Sequence, residues 1–344
     1  MTLITTVGLD TAKQVFQLHG VDNEGNAILR RQLRRSEVLR FFSKVPSCVV
    51  GLEACGGAHY WAREIKALGH EVRLIPPAYV KPYVKRGKND AADAEAICEA
   101  VGRPSMRFVP LKTVGQQASA MLLKARDLLV RQRTQTINAL RGHLTGLGIT
   151  ISRGVGKVDV LAAIVRDEDD ARLPPLARIA LLPLTHQIEA YTSEIVKLEK
   201  HMVRETRQDS TLSRLTSIPG VGPITASSIA AFVPDPQAFK SGRHFAAWIG
   251  LTPKSNSTGG KTRLGRISKM GNPVLRSLLV VGASAVIQHA RRGAKVSAWL
   301  SELLRRRPYK VAAIALANKM ARIVWALLVR GGQFHSTANE TMAA

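Results

Sequence analysis

Five short apolar runs within the first 75 residues, separated by polar turns and by two stretches of helical spacing, restrict the N-terminal part of this chain to a mixed α/β layer. Ile4 to Leu9 is β-rich and ends against Asp10. Gln14 to Val21 resumes with Val15, Phe16 and Leu18 before the turn Asp22-Asn23-Glu24-Gly25-Asn26, so the two runs form a hairpin, and Ala27 to Leu33 continues as a third strand. Ser36 caps a helix through Val45; Cys48 to Leu52 is a strand ending in Glu53; Gly56 to Leu68 is a helix. Glu71 to Ile75 is a last strand, stopped by Pro76-Pro77. The order ββ(β)αβαβ predicts a mixed sheet with helices on its faces.

A basic, glycine-containing loop, Lys85-Arg86-Gly87-Lys88, then leads into a helix that opens with Asp90 and Asp93. At i and i+3 the two aspartates share one face, which Ala94, Ile97 and Val101 continue, so that face points inward. Two carboxylates at the mouth of a buried face repel each other and lose hydration, at a cost of several kcal/mol unless a cation or hydrogen-bond donors compensate. Glu95 and Glu99 lie off this face and read as solvated. A divalent metal would compensate the pair; capping of the helix behind Asn89 accounts for Asp90 equally well. Asp10 and Glu53 bear on the choice, because each directly follows an apolar strand. Adjacent strands place their carboxylates side by side near the start of the Asp90 helix. Alone, each is an ordinary strand-end polar residue. Together, four acids in a basic chain match the oxygen ligands of two Mg²⁺ ions about 4 Å apart around one phosphate. The run Asp167-Glu168-Asp169-Asp170 has no apolar strands around it and reads as a solvated loop.

Lys and Arg number 50 against 25 acids in 344 residues, a net charge of +25 that points to polyanionic partners. The excess is uneven: between Thr211 and Arg330 there are 19 Lys and Arg against two acids, Asp235 and Glu302. Aromatic residues make up only 5%, which argues against base stacking as the main source of affinity. Cys48, Cys55 and Cys98 lack disulfide or zinc spacing and read as small core residues in a reducing compartment. The N-terminus does not read as a signal peptide. The apolar run Val311 to Val329 is interrupted by Lys319 and Arg322, which favours a core helix over a membrane span.

From Thr113 the pattern turns helical. Thr113 to Gly146 and Pro175 to Gln208 are two long amphipathic stretches on either side of a loop at Ile149 to Gly156. They read either as an antiparallel coiled-coil arm joining subunits or as an ordinary helical domain on the same chain. Leu215 to Phe232 reads helix, hairpin, helix about Pro219-Gly220-Val221-Gly222. Such a glycine turn is suited to presenting backbone N–H groups to a phosphate, and a plain helix–helix turn is the simpler alternative. Ser241 is placed to cap a helix starting at Gly242 or Arg243, and His244 beside it is a structural histidine or a proton shuttle. Lys240, Arg243, Lys254, Lys261, Arg263, Arg266, Lys269 and Arg276 surround it in sequence as candidate phosphate contacts. Gly271 to Ile287 and Val311 to Val329 are apolar helices, with the cluster Arg305-Arg306-Arg307 between them as a further nucleic-acid patch. Residues after Gly331 read as a disordered tail. The expected division is 1–112, 113–210, 211–330 and a tail at 331–344.

The set Asp10, Glu53, Asp90 and Asp93, within GLDTAK and GKNDAADAEAIC, resembles the DEDD-type, RuvC-like N-terminal domain of the Piv-like insertion-sequence transposases, insertion-sequence family one-ten with its eleven-eleven group. The segment from Phe239 to Arg276 is similar to the C-terminal transposase domain of the same family. The resemblance implies a ribonuclease-H-like fold, Mg²⁺ held by the four acids, and Ser241 as a nucleophile forming a covalent 5′-phosphoserine on DNA. It further implies a guide RNA (bridge or seeker RNA) pairing with donor and target DNA, dimers that pair into a tetramer, and action in the bacterial cytoplasm. A metal-dependent junction nuclease using water, and a non-catalytic nucleic-acid scaffold, are the alternative readings of the same residues.

Overall fold

The computed structural model describes residues 3–85, 89–152 and 154–334, which form two compact units, Met1–Thr113 and Val114–Ala344. In the first unit the elements run β1 (Thr6–Thr11), β2 (Val15–Val21), β3 (Ala27–Arg34), α1 (Val38–Phe42), β4 (Val49–Glu53), α2 (Ala58–Ala67), β5 (Glu71–Ile75), α3 (Pro77–Val80) and α4 (Asp90–Val101). The sheet order is β3-β2-β1-β4-β5; β1–β2 and β2–β3 pair antiparallel, β1–β4 and β4–β5 parallel. This is the mixed sheet that the alternation of apolar runs predicts. Phe16, Leu9, Leu52, Val50 and Ile65 are buried in one core cluster, and Ile97, Val101 and Ile75 in another, so helices pack on both faces.

Three local expectations need correction. β1 does not stop at Leu9 but carries Asp10 inside its paired length, opposite Gln17. Ser36 caps no α-helix: it lies in a 3-10 turn over Arg35–Glu37, where the Glu37 side chain accepts a hydrogen bond from the Arg34 N–H at 2.8 Å. Cys55 is exposed, unlike the buried Cys48 and Cys98, because it falls in the turn after β4 rather than in the strand.

Glycine sets the closeness of α4 to the sheet. A Cβ at Gly8 would lie 2.5 Å from the Cys98 backbone N and well inside contact distance of the Ala94 carbonyl oxygen, so helix backbone rests directly on β1. Replacing Gly8 by Ala must lift α4 and with it Asp90 and Asp93. We expect Gly8→Ala to destabilise the fold by about 1–3 kcal/mol, the usual range for overpacking. A thermal melt measures the loss, and a divalent-cation titration of the same protein checks that the lifted helix no longer responds as wild type does.

The second unit is helical: α5 (Val114–Gly146), α6 (Val158–Arg166), α7 (Pro175–Gln208), α8 (Ser210–Thr216), α9 (Pro223–Phe232), α10 (Gly242–Ile249), then a hairpin of β6 (Pro253–Ser255) and β7 (Leu264–Ile267), and α11 (Pro273–Arg291), α12 (Ala298–Arg306) and α13 (Tyr309–Arg330). α5 and α7 run antiparallel, since Arg126 pairs with Glu199 at 2.5 Å and Arg133 donates to Thr192 at 3.4 Å. Leu140, Leu144, Leu161, Leu181 and Ile188 close the far end of this pair over α6. Asp167–Asp170 is the loop between α6 and α7, as expected. The hairpin and α12 were not legible as elements: both sit in glycine- or arginine-rich sequence, although the turn at Gly259 and Gly260, with φ of 53° and 74°, is a hairpin signal in itself.

α11 and α13 are long and apolar enough to cross a membrane by length and composition alone. Their apolar residues meet each other instead, with Leu279, Ala283, Ala317, Met320 and Val324 in the main core of the unit. The turn between α8 and α9 rests on α11 through glycine on both sides. A Cβ on Gly220, whose φ is 86°, would come 2.7 Å from the Gly282 carbonyl oxygen.

Candidate functional site

In the N-terminal unit the carboxylates of Asp10, Asp90 and Asp93 converge, with one oxygen from each within 4.8 Å of the others. Strand pairing delivers Asp10 to the end of β1, and Asn89 delivers the other two: its side chain accepts from the Ala91 N–H at 3.0 Å and starts α4 at Asp90. The capping role therefore belongs to Asn89, not Asp90. Ala94, Ile97 and Val101 are buried behind the two aspartates, as their spacing predicts. Glu53 ends β4 beside β1 but stands outside the convergent set.

Burial first, and then repulsion from Asp93, Asp90 and Glu53, raises the Asp10 carboxyl to about 6. Burial and the charge of Asp93 also raise Glu53. Among the described residues no Lys or Arg forms an ion pair with any of the four acids. Lys85 pairs instead with Glu95 at 2.6 Å, so Glu95 is half-buried and bonded rather than solvated. Three convergent oxygens with uncompensated charge suit a hard divalent cation, which supplies the positive charge the cluster lacks.

In the C-terminal unit Ser241 is the N-cap of α10, extended at φ −164° and ψ 163°, and its Oγ accepts from the His244 N–H at 3.3 Å. It is half-buried, on the wall of a cavity of about 1480 Å³. That wall also carries Arg243, Arg266, Lys269, Lys310, Lys319, Arg322 and Arg330, and no acid. Gly242 makes the arrangement possible: a Cβ there would sit 3.1 Å from the Arg322 backbone, so the cap of α10 lies against α13. Lys269, at φ 56°, is a non-glycine residue in the left-handed region, its N–H donating to the Gly250 carbonyl at 3.2 Å. The Arg276 guanidinium donates to the Ile249 and Met270 carbonyls, at 2.8 and 2.9 Å, and fastens the same turn. Lys319 lies 4.3 Å from the centre of the Trp299 ring.

Of the sequence candidates, Ser241, Arg243, Arg266 and Lys269 share this cavity. Lys240, Lys254, Lys261 and Arg263 are exposed, the last three on the hairpin, and Arg305, Arg306 and Arg307 are exposed around the end of α12, with Arg305 paired to Glu302. Gly222 is exposed at the start of α9 and Gly220 half-buried against α11. Arg86 and Lys88 lie outside the described residues. Sequence reading missed Lys310, Lys319, Arg322 and Arg330 as site residues. The signal was present: Lys319 and Arg322 stand three apart on an otherwise apolar helix, which puts both on one face, and the structure leaves the first half-buried and the second exposed along the cavity.

Residues 7–149 match a transposase family profile, the DEDD domain of the IS110 type, and residues 212–297 match the profile described as "Transposase IS116/IS110/IS902 family". The chain is 49% identical to a probable family 20 transposase of Pseudomonas aeruginosa, over 95% of its own length and 97% of the relative's. It is 41% identical to the transposase for insertion sequence element IS1111A of Coxiella burnetii, over 95% and 90%, and 40% identical to that for IS1328 of Yersinia enterocolitica, over 97% and 99%. Matches of this extent, carried on both halves of the chain, make it a member of the IS116/IS110/IS902 family of insertion-sequence transposases.

Proposed function

We propose that the protein is an RNA-guided DNA recombinase in which Ser241 attacks a DNA phosphate and the acid cluster holds the Mg²⁺ that the reaction needs. The observation that carries this reading is the position of Ser241 on the wall of a large cavity whose charged residues are all cations. The cations of a cavity so lined suit phosphate oxygens. The His244 N–H already donates to Oγ, which leaves the serine's own hydrogen free to depart. The Oγ–P bond forms as the P–O3′ bond breaks; the proton lost by the serine is matched by the one the 3′-oxygen gains. Arg243, Arg266 and Arg322 hold the phosphate oxygens while charge builds on them. Attack by the 3′-hydroxyl of another strand reverses the step, so strands exchange without ATP. A divalent cation at Asp10, Glu53, Asp90 and Asp93 supplies charge neutralisation at a phosphate. The serine and the acids lie on separate units, which suits a composite site assembled from two subunits of a dimer, or of a tetramer holding donor and target DNA. The turn at Gly220 and Gly222, read as a helix-hairpin-helix, and the hairpin cations Lys254, Lys261 and Arg263 add contacts to the backbone.

One observation favours a second reading. The cap hydrogen bond gives Ser241 a structural task that is complete without chemistry. On that reading a metal-activated water cuts DNA, as in a junction nuclease.

The test of the function is reconstitution with element-end DNA, Mg²⁺ and RNA transcribed from the element's non-coding end. Joined recombinant strands should form only when all three are present. Cut but unjoined DNA, formed equally well without RNA, contradicts the proposal and leaves a nuclease.

A further inference from the structure

A recess of about 350 Å³ adjoins the acid cluster on the same face of the sheet, between the start of α4 and the edge strand β3. Strand register fixes its place. Asp10 pairs with Gln17, and Gln17 with Gln32, so the three side chains form one row across β1, β2 and β3; Gly8, His19 and Arg30 form the next. With strands about 4.8 Å apart, Gln17 and Gln32 stand roughly 5 and 10 Å from Asp10, on the side away from Glu53. His19 and Gln17 floor the recess, Arg30 and Gln32 wall it on one side, and Asn89 and Glu95 on the other.

Its chemistry differs from that of the serine cavity. Three amides and an imidazole line it beside Arg30 and Arg31, and the one acid, Glu95, is already paired with Lys85. His19 is only 6% exposed, and among the described residues its ring makes no hydrogen bond. Burial lowers its pKa and keeps it neutral, so one ring nitrogen donates and the other accepts. The Asn89 Oδ1 is engaged at the cap of α4, which leaves its NH₂ group to donate. A buried ring and the Gln17 and Gln32 amides, which have no hydrogen-bond partner among the described residues, call for a ligand rich in donors and acceptors. The volume lies at the small end of the ~300–1,000 Å³ range of ligand sites, which suits a single nucleoside.

We propose that this recess is a nucleobase pocket, which holds the DNA nucleotide next to the phosphate at Asp10, reads its base edge through Gln17, Gln32 and His19, and steadies its backbone through Arg30. It rests on the reading that the acid cluster works on a DNA phosphate. The two functions are thereby divided: cations around Ser241 hold phosphate, and neutral groups beside Asp10 choose the base. The protein itself then imposes a base preference beside the cleaved bond.

The test uses the full-length protein with element-end DNA, and RNA where cleavage needs it, in which the nucleotides flanking the cleaved bond are randomised or replaced one at a time by 4-thiothymidine. Wild type should select one base at a single flanking position, and the thio-base there should cross-link to residues 15–34. Gln17→Ala and Gln32→Ala, at partly or fully exposed positions, should fold as wild type by thermal melt. Together they should reduce the preference about tenfold, the discrimination expected of one amide–base pair, while cleavage of the best sequence persists. Cleavage with unchanged preference in the double variant, or cross-links confined to residues 114–334 or to the RNA, overturns the proposal and leaves the transposase reading intact. If Asp10→Asn cleaves as wild type does, the reading of the acid cluster fails first and the pocket falls with it.

Discussion

Asp10→Asn is expected to abolish strand cleavage, by at least 10³-fold, and at the same time to stabilise the metal-free protein. The first effect follows from removing one of the three convergent carboxylates proposed to hold the divalent cation. The second follows from linkage. The Asp10 carboxyl ionises near 6 when folded, against 3.8 in an unfolded chain, because burial and three neighbouring acids disfavour its charge. The folded state therefore holds this proton more tightly, and the stability it contributes is complete below pH 4. That contribution drains away between pH 4 and 6, and above pH 6 the ionised carboxylate weakens the fold. Asp10 is half-buried, so after allowance for solvent screening the penalty is on the order of 1 kcal/mol, or a few degrees of melting temperature. Asn removes the charge and the repulsion together. The melting temperature of Asp10→Asn without metal should exceed that of wild type at pH 8 and match it at pH 4. Added Mg²⁺ should raise the wild type and do little for the variant. An equal shift at both pH values would mean that repulsion is not what burdens the site.

Ser241 caps α10 and, on the proposed function, is also the nucleophile; separate substitutions part the two tasks. Ser241→Ala removes both the cap and the hydroxyl, so it should lose all joining activity and about 1 kcal/mol of stability. Ser241→Asn retains a side chain that caps a helix as well as serine does, yet offers no nucleophile. We expect Ser241→Asn to melt within a degree or so of wild type, to bind DNA normally and to be as inactive as Ser241→Ala. Recovery of cleavage in Ser241→Asn would assign the serine to capping alone and move the chemistry to water.

The two candidate sites were unequally legible in sequence. Asp10, Asp90 and Asp93 could be read because each stands where an apolar element meets a polar one, and strand order then brings them together. Glu53 is near enough to feel the charge of Asp93 but stands outside the three-carboxylate set, because sequence places it at a strand end without fixing its distance from α4. The cavity around Ser241 was half hidden. Arg243, Arg266 and Lys269 follow the serine within 28 residues, whereas Lys319, Arg322 and Arg330 stand 78 or more residues on, and the helix that carries them is brought under the cap by long-range packing, including the Gly242–Arg322 contact and the Asn318 and Trp325 hydrogen bonds to the Leu251 and Pro236 carbonyls. Nothing local announces such a contact. The recess at Gln17 and Gln32 was invisible for a similar reason, since it exists only through the register of three strands.

The claim at the centre is that a bond forms between DNA and the Ser241 oxygen. The direct measurement is to stop the reconstituted reaction with denaturant, digest protein and DNA, and sequence the nucleotide-bearing peptide by mass spectrometry. A 5′-nucleotide on Ser241, absent from Ser241→Asn and from Asp10→Asn, is the predicted result. Cleaved DNA bearing free 5′-phosphates, with the Ser241 peptide unmodified, would contradict it.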